Sequence, residues 1–223
     1  MSTKAKEIIV SPSLLSASLP YLDREVKSVK ESGCQWLHYD IMDGDFVPNI
    51  TFGPDFVKAF HGYGLFNDVH LMISSPLKYA KKFITNGADL ITFHYEAVKD
   101  VLETQEAIRH MSKDIRVGLS IKPRTPIEDI LPFVNYFDLI LVMSVEPGFS
   151  GQEFIPSSLE KIKTLRKYID DQKLKTLIEV DGGVNDKTIA SVLEAGVDVV
   201  VTGSYFFNQI DRTKCVHILK GIN

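Results

Sequence analysis

Eight short apolar runs, alternating with helix-periodic segments over 223 residues, predict an α/β protein folded as one closed (β/α)8 barrel. The first supporting observation is a repeated grammar. In KESGCQWLHYD, ITNGADLITFH and LEAGVDVVVTG a helical pattern ends at a glycine and an apolar run begins two or three residues later. Gly33, Gly87 and Gly196 suit the left-handed position that closes a helix. The second is the character of the runs. Leu90-Ile91-Thr92-Phe93 and Val199-Val200-Val201 are apolar on successive residues and partly β-branched, as parallel strands covered on both faces tend to be. The third is size: eight such units fit this length near the lower limit of the fold. An open doubly wound sheet is the competitor, but no G-x-G-x-x-G follows the first strand. No composition break or linker divides residues 1–223, so a single domain is expected.

In chain order, strands are expected near Ile8–Val10, Trp36–Tyr39, Asp68–Leu71, Leu90–Phe93, Arg116–Ile121, Leu139–Val142, Leu177–Val180 and Val199–Thr202. Helical spacing appears between them at Leu22, Val26 and Val29; at Tyr79 and Phe83; at Leu159, Ile162 and Leu165; and at Ile189, Val192 and Leu193. Ser157 and Glu160 stand at capping-box spacing before the third of these helices.

Composition narrows the function. With 44% hydrophobic and 24% charged residues the chain is globular, and at this length roughly 70–75% of the unfolded surface is removed from water. Such a core needs no metal staple, so any metal would serve chemistry. The 29 acidic and 25 basic residues give a net charge of -4, and no Lys/Arg run interleaves with aromatics, which argues against a nucleic-acid partner. Cys34 and Cys215 lie in no metal-binding or redox motif and fit a reducing compartment. The N-terminal MSTKAKEIIVSPS lacks a signal-peptide core, and no window approaches the roughly 18 apolar residues of a membrane span. A cytoplasmic protein without a membrane partner is expected.

A barrel of this kind builds its site at the carboxyl ends of the strands. Ser13 follows the first strand, His38 and Asp40 end the second, His70 the third, His94 the fourth and Asp181 the seventh, while Gly203 and Ser204 follow the eighth. His38 and Asp40, two apart, leave the same face of a strand. An H-x-D pair alone is more often a satisfied polar pair than a ligand pair. Its coincidence with His70 and Asp181 at equivalent strand ends points to a divalent-metal site of the mixed N/O kind that suits zinc, iron or manganese. Two carboxylates buried together also require a cation or a proton. His94 reads as a structural histidine that hydrogen-bonds neighbouring loops, and Glu96 as a supporting or surface residue.

Glycine forms a second constellation. VEPGFSGQ, DGGVN and TGSYF place Gly148, Phe149, Ser150, Gly151, Gly182, Gly183, Gly203 and Ser204 in the loops after the sixth, seventh and eighth strands. Glycine lets backbone N–H groups approach an anion, and late-strand loops are the usual phosphate cradle of such barrels. Met42, Met72 and Met143 also stand near strand ends. Methionine usually fills a core, but here the trio could line an apolar floor that keeps water from a carbanionic intermediate.

The segments SPSLLSAS, LHYDIMDGDFVPNITFG, DVHLMI, LSIKPRTP, VMSVEPGFSGQEFIP, IEVDGGVN and TGSYF occur in one order along essentially the whole chain. Together they resemble the ribulose-phosphate 3-epimerase family. The resemblance implies a TIM barrel and a homo-oligomer, a dimer or a hexamer. It also implies interconversion of D-ribulose 5-phosphate and D-xylulose 5-phosphate in pentose-phosphate metabolism, with one divalent metal ion (zinc, iron, manganese or cobalt). By position, His38, Asp40, His70 and Asp181 correspond to metal ligands, with Asp40 and Asp181 doubling as the proton-transfer pair. Ser13, His70, the three methionines and the glycine-loop residues correspond to substrate-binding positions. Two positions depart from the family pattern: Asp45 after MDG, and Ser150 where glycine is usual, which questions that loop's backbone if the position needs positive φ.

Allulose-6-phosphate 3-epimerase shares the H-x-D, HLM and PGF motifs, while DGGVN favours the pentulose. A metal-free phosphosugar decarboxylase would want a strand-end lysine, and HYDIMD supplies none. A phosphosugar-binding protein without turnover is the alternative from another class.

Overall fold

The computed structural model describes residues 7–222. Eight parallel strands, β1 (Ile9–Pro12), β2 (Trp36–Met42), β3 (Phe66–Met72), β4 (Leu90–His94), β5 (Arg116–Ile121), β6 (Leu139–Met143), β7 (Leu177–Asp181) and β8 (Val199–Thr202), form one sheet in the order β1-β8-β7-β6-β5-β4-β3-β2. The two outer strands of that order, β1 and β2, meet through the parallel bridge Ser13↔His38, which brings the sheet round into a nearly closed barrel. All eight expected strands are present; β2 runs on to Met42, so His38, Asp40 and Met42 share one continuous strand.

Helices α1 (Leu22–Glu31), α2 (Pro54–Phe60), α3 (Pro76–Thr85), α4 (Val101–Arg109), α5 (Ser158–Asp171), α6 (Ile189–Ala195), α7 (Ser204–Phe207) and α8 (Arg212–Leu219) occupy the connections and follow β8. The β5–β6 connection departs from the expected rhythm. It consists of two 3-10 turns, Ile127–Asp129 and Leu131–Tyr136, because Pro123, Pro126 and Pro132 remove backbone donors and interrupt any α-helix there. The expected capping box is also not formed. Ser157 makes no side-chain cap, and the Glu160 carboxylate turns outward to Lys163 at 2.8 Å. Gly33, Gly87 and Gly196 do adopt the left-handed conformation, with φ of 89°, 102° and 103°.

Strand alternation divides the side chains into two sets. Outward residues such as Leu37, Tyr39, Val69, Leu71, Ile91, Phe93, Val142 and Val180 pack with helix residues including Val26, Val29, Phe83, Ile108, Ile162 and Leu165. Inward residues at the lower end, Trp36, Leu90, Leu139, Leu141 and Val199, form a separate apolar plug with Ile9, Phe66 and Leu177. Each fully buried aliphatic contributes about 1.5–3 kcal/mol relative to exposure. Above the plug the inward set becomes polar, and that switch positions the site. Arg212 on α8 pairs with Glu25 on α1 at 2.6 Å, fastening the last helix to the first.

On the outward side of β2, the Tyr39 hydroxyl donates to Asn67 Oδ1 at 2.9 Å in a fully buried pair. Tyr39→Phe leaves that oxygen without its donor and should lower the unfolding free energy by about 1–3 kcal/mol in a denaturant titration. An unchanged midpoint would contradict this account of the pair.

Candidate active site

The upper inward positions of β2, β3 and β7 bring four predicted residues together. One ligand atom from each of His38, Asp40, His70 and Asp181 lies within 4.8 Å of the others. Asp40 Oδ1 stands 3.2 Å from His70 Nδ1 and 3.4 Å from His38 Nε2, and Asp181 Oδ2 stands 4.0 Å from His70 Nδ1. His38 Nε2 is buried without a hydrogen-bond partner among the described residues although it faces this cluster. Two imidazole nitrogens and two carboxylates converging around an unsatisfied nitrogen match the donor set of a divalent transition metal. The residues fit the group.

Each of these two candidate-ligand histidines is engaged on its other nitrogen. His38 Nδ1 is 2.6 Å from Asp68 Oδ2, which also accepts from Ser11 Oγ at 3.2 Å. His70 Nε2 lies 2.8 Å from His94 Nε2. His94 was expected to hold loops. Its Nδ1 does face Glu96, at 3.2 Å, and Glu96 accepts from the loop groups Lys122 N and Thr125 Oγ1, but its other nitrogen touches a candidate ligand. Asp68 and Glu179 escaped the sequence reading. The i, i+2 rule that paired His38 with Asp40 could have found them, since Asp68 precedes His70 by two and Glu179 precedes Asp181 by two.

Electrostatics separates the carboxyls. Burial would raise the Asp40 carboxyl, but His38 and His70 outweigh it and hold it well below the usual carboxylate range. Burial and then the Asp40 charge push Asp181 up to about 7. Burial, and then the neighbouring Asp68 charge, raise the Glu179 carboxyl well above the normal range. Burial lowers His94 to about 4, so its ring is neutral as well.

Above the cluster opens a cleft of about 280 Å³, near the lower bound of small-molecule sites. Its walls include Ser13, Asp40, Met42, Met72, Met143, Asp181 and the glycine-loop residues Gly148, Phe149, Ser150, Gly151, Gly182, Gly183, Gly203 and Ser204. His38 and His70 lie beneath, with no exposed surface. Ser13 Oγ donates to Asp40 Oδ2 at 2.5 Å. Met42 and Met72 pack with Val47, while Met143 caps the interior plug beside Val145. The sequence reading missed Ser16, Gln152, Asn185 and Tyr205, which also face the cleft. Ser16 was within reach, being in the same SPSLLSAS segment as Ser13.

The Ser150 departure is accommodated: Gly148 and Gly151 take the positive φ values of the loop, and the only non-glycine described residue with positive φ is Lys173. Gly183 is glycine for a packing reason as well, because a Cβ there would collide with the Phe154 backbone nitrogen.

The family model for ribulose-phosphate 3-epimerases matches residues 9–207. This chain belongs to the ribulose-phosphate 3-epimerase family. It is 40% identical to the ribulose-phosphate 3-epimerase of Chlamydia muridarum, covering 98% of this chain and 97% of that one. It is 45% identical to the Synechocystis enzyme of the same name, covering 95% and 93%. The structure of 3-hexulose-6-phosphate synthase from Salmonella typhimurium superposes with a TM-score of 0.66 at 18% identity, over 96% of this chain and 97% of that one, which shows the shared barrel. The protein is an isomerase, a carbohydrate epimerase of the pentose phosphate pathway. No helix among the described residues is long and apolar enough to cross a membrane.

Asp181 links the site to stability. Its folded pKa of about 7 exceeds the reference 3.8, so between these values the native state keeps a proton that the unfolded chain has released. Stability of the metal-free epimerase is therefore eroded as pH rises from about 4 to about 7. Asp181→Asn cannot ionise and should be more stable than the unmutated metal-free chain at pH 8 but not at pH 3. An equal difference at both pH values in thermal denaturation would contradict the raised pKa.

Proposed function

We propose that the epimerase interconverts D-ribulose 5-phosphate and D-xylulose 5-phosphate by two-base proton transfer at C3, with one divalent ion (zinc, iron, manganese or cobalt) held by His38, Asp40, His70 and Asp181. The observation that carries this reading is the pair of aspartates at the base of one cleft, Asp40 of β2 buried and held well below the usual carboxylate range and Asp181 of β7 half-buried and pushed up to about 7. The C3 proton of a 2-ketose is acidic because the adjacent carbonyl accepts the charge left behind. A divalent cation bound by the four ligands would supply Lewis-acid stabilisation of that developing enediolate.

The protein's own groups do the rest. An ionised aspartate takes the proton from one face of C3, and the protonated partner returns a different proton from the other, which inverts the centre. The two carboxyls exchange these roles with the direction of reaction. Ser13, hydrogen-bonded to Asp40, holds that carboxylate in place and borders the substrate. Met42, Met72 and Met143 give the reacting carbon an apolar floor that excludes water. The phosphate is assigned to the loops after β6, β7 and β8, with Gly148, Phe149, Ser150, Gly151, Gly182, Gly183, Gly203 and Ser204 around it. No lysine among the described residues lines the cleft, which speaks against Schiff-base chemistry there. The buried free thiols Cys34 and Cys215 suit a cytoplasmic setting, and a homo-oligomer is the proposed assembly.

Turnover of D-ribulose 5-phosphate by the purified protein tests the reading. Chelation should abolish activity and added divalent ions should restore it. Asp40→Asn and Asp181→Asn should each lose at least about 10²- to 10⁴-fold in kcat while remaining folded. Binding of the sugar phosphate without turnover by the unmutated, metal-loaded protein would make it a binding protein instead, and near-normal turnover by either folded variant would exclude the two-base scheme.

A further inference from the structure

Asp40, His70, His94 and Glu96 form a single file. Asp40 Oδ1 is 3.2 Å from His70 Nδ1, His70 Nε2 is 2.8 Å from His94 Nε2, and His94 Nδ1 is 3.2 Å from Glu96 Oε2. Both rings are fully buried, with centroids 4.9 Å apart and planes 29° from one another, and Phe46 packs against His94 with centroids 4.8 Å apart. The file has three junctions, each of which needs one proton or one cation between its two lone-pair-bearing atoms. Two neutral imidazoles carry only two protons. A cation shared by Asp40 and His70 Nδ1 completes the file, provided that both protons point toward Glu96: His70 Nε2–H donating to His94 Nε2, and His94 Nδ1–H donating to Glu96.

Glu96 decides that direction because a carboxylate only accepts. Its orientation is fixed from outside the site. Glu96 Oε1 accepts from Lys122 N at 2.8 Å and from the Thr125 hydroxyl, leaving Oε2 toward His94. The loop supplying those donors is itself anchored by Lys161 of α5, whose Nζ donates to the carbonyls of Pro123 at 2.6 Å and Thr125 at 2.5 Å. We infer that Glu96, acting through His94, is a positioning residue that sets the tautomer of His70 so that Nδ1 presents a lone pair to the metal. This rests on the metal site proposed above and extends it to two residues that touch neither metal nor substrate. Hydrogen-bond partners of this kind commonly govern metal affinity by 10- to 100-fold.

Glu96→Gln discriminates sharply. Its single oxygen is retained by Lys122 N and Thr125, so its NH2 group faces His94 Nδ1 and reverses the proton direction along the file. The probe is Zn²⁺, titrated by chelator competition into the purified full chain, alongside ¹⁵N spectra of the histidine rings. Glu96→Gln and His94→Phe should each raise the Zn²⁺ dissociation constant by about 10- to 100-fold, and His94→Gln, whose amide oxygen replaces the lost acceptor, should retain most of the affinity. In the zinc-loaded unmutated chain His70 should be protonated on Nε2 and His94 on Nδ1. Unmutated protein that binds Zn²⁺ no more tightly than Glu96→Gln and His94→Phe, or that shows the opposite tautomers, overturns the inference while leaving the metal site intact. Failure of the unmutated chain itself to bind Zn²⁺, Mn²⁺, Fe²⁺ or Co²⁺ overturns the metal reading and the inference with it.

Discussion

Burying ionisable groups inside a parallel barrel is the constraint on which the rest of this structure depends. An uncompensated charge in such an interior costs several kcal/mol, yet the inward positions of three strands carry His38, Asp40, Asp68, His70, Glu179 and Asp181. The cluster meets that cost by mixing protonation states. Asp40 is held well below the usual carboxylate range between two imidazoles, Glu179 is raised well above it beside Asp68, and Asp181 is pushed up to about 7. The apolar plug of Trp36, Leu90, Leu139, Leu141 and Val199 seals the cluster from below, and the cleft opens it from above. Adjacent carboxyls pushed in opposite directions are what an inversion at carbon requires, so in the proposed mechanism the device that stabilises the burial would also supply the acid and the base.

Much of this was legible because strand periodicity is a strong geometric rule. Eight apolar runs gave eight strands, and the polar residues ending them arrived at one rim. Reading the alternation further down each strand would have reached Asp68 and Glu179. What the sequence concealed was side-chain contact between neighbouring strands: that His38 leans on Asp68 of β3, or that His94 of β4 turns one nitrogen to His70, depends on strand register and side-chain direction among residues distant in sequence. Helix signals were less secure for a related reason. Three prolines turned the β5–β6 connection into 3-10 turns, and Glu160 found Lys163 a better partner than the backbone it was expected to cap.

The glycine loops combine two physical demands. Gly148 and Gly151 have room for a side chain but occupy positive φ, whereas Gly183 and Gly203 face close neighbours, Phe154 and Ser16. The glycines proposed to hold the phosphate thus also let the loops after β7 and β8 lie tightly against the rest of the rim. Asn49, from the loop after β2, donates to the Gly148 carbonyl at 2.8 Å and ties the β2 side of the cleft to the proposed phosphate side. Ser150 fits among these residues because the turn's positive φ values fall on its glycine neighbours.

The central claim is that Asp40 and Asp181 act from opposite faces of C3 with different protons. The most direct measurement is conversion of D-ribulose 5-phosphate in heavy water with analysis of the first product formed. Deuterium is expected at C3 of the xylulose 5-phosphate from the first turnover, with the C1 hydrogens unlabelled because no base is assigned over C1. Full retention of the substrate protium at C3 in the initial product would require one group to carry the same proton across both faces, and would contradict the pairing of the two aspartates.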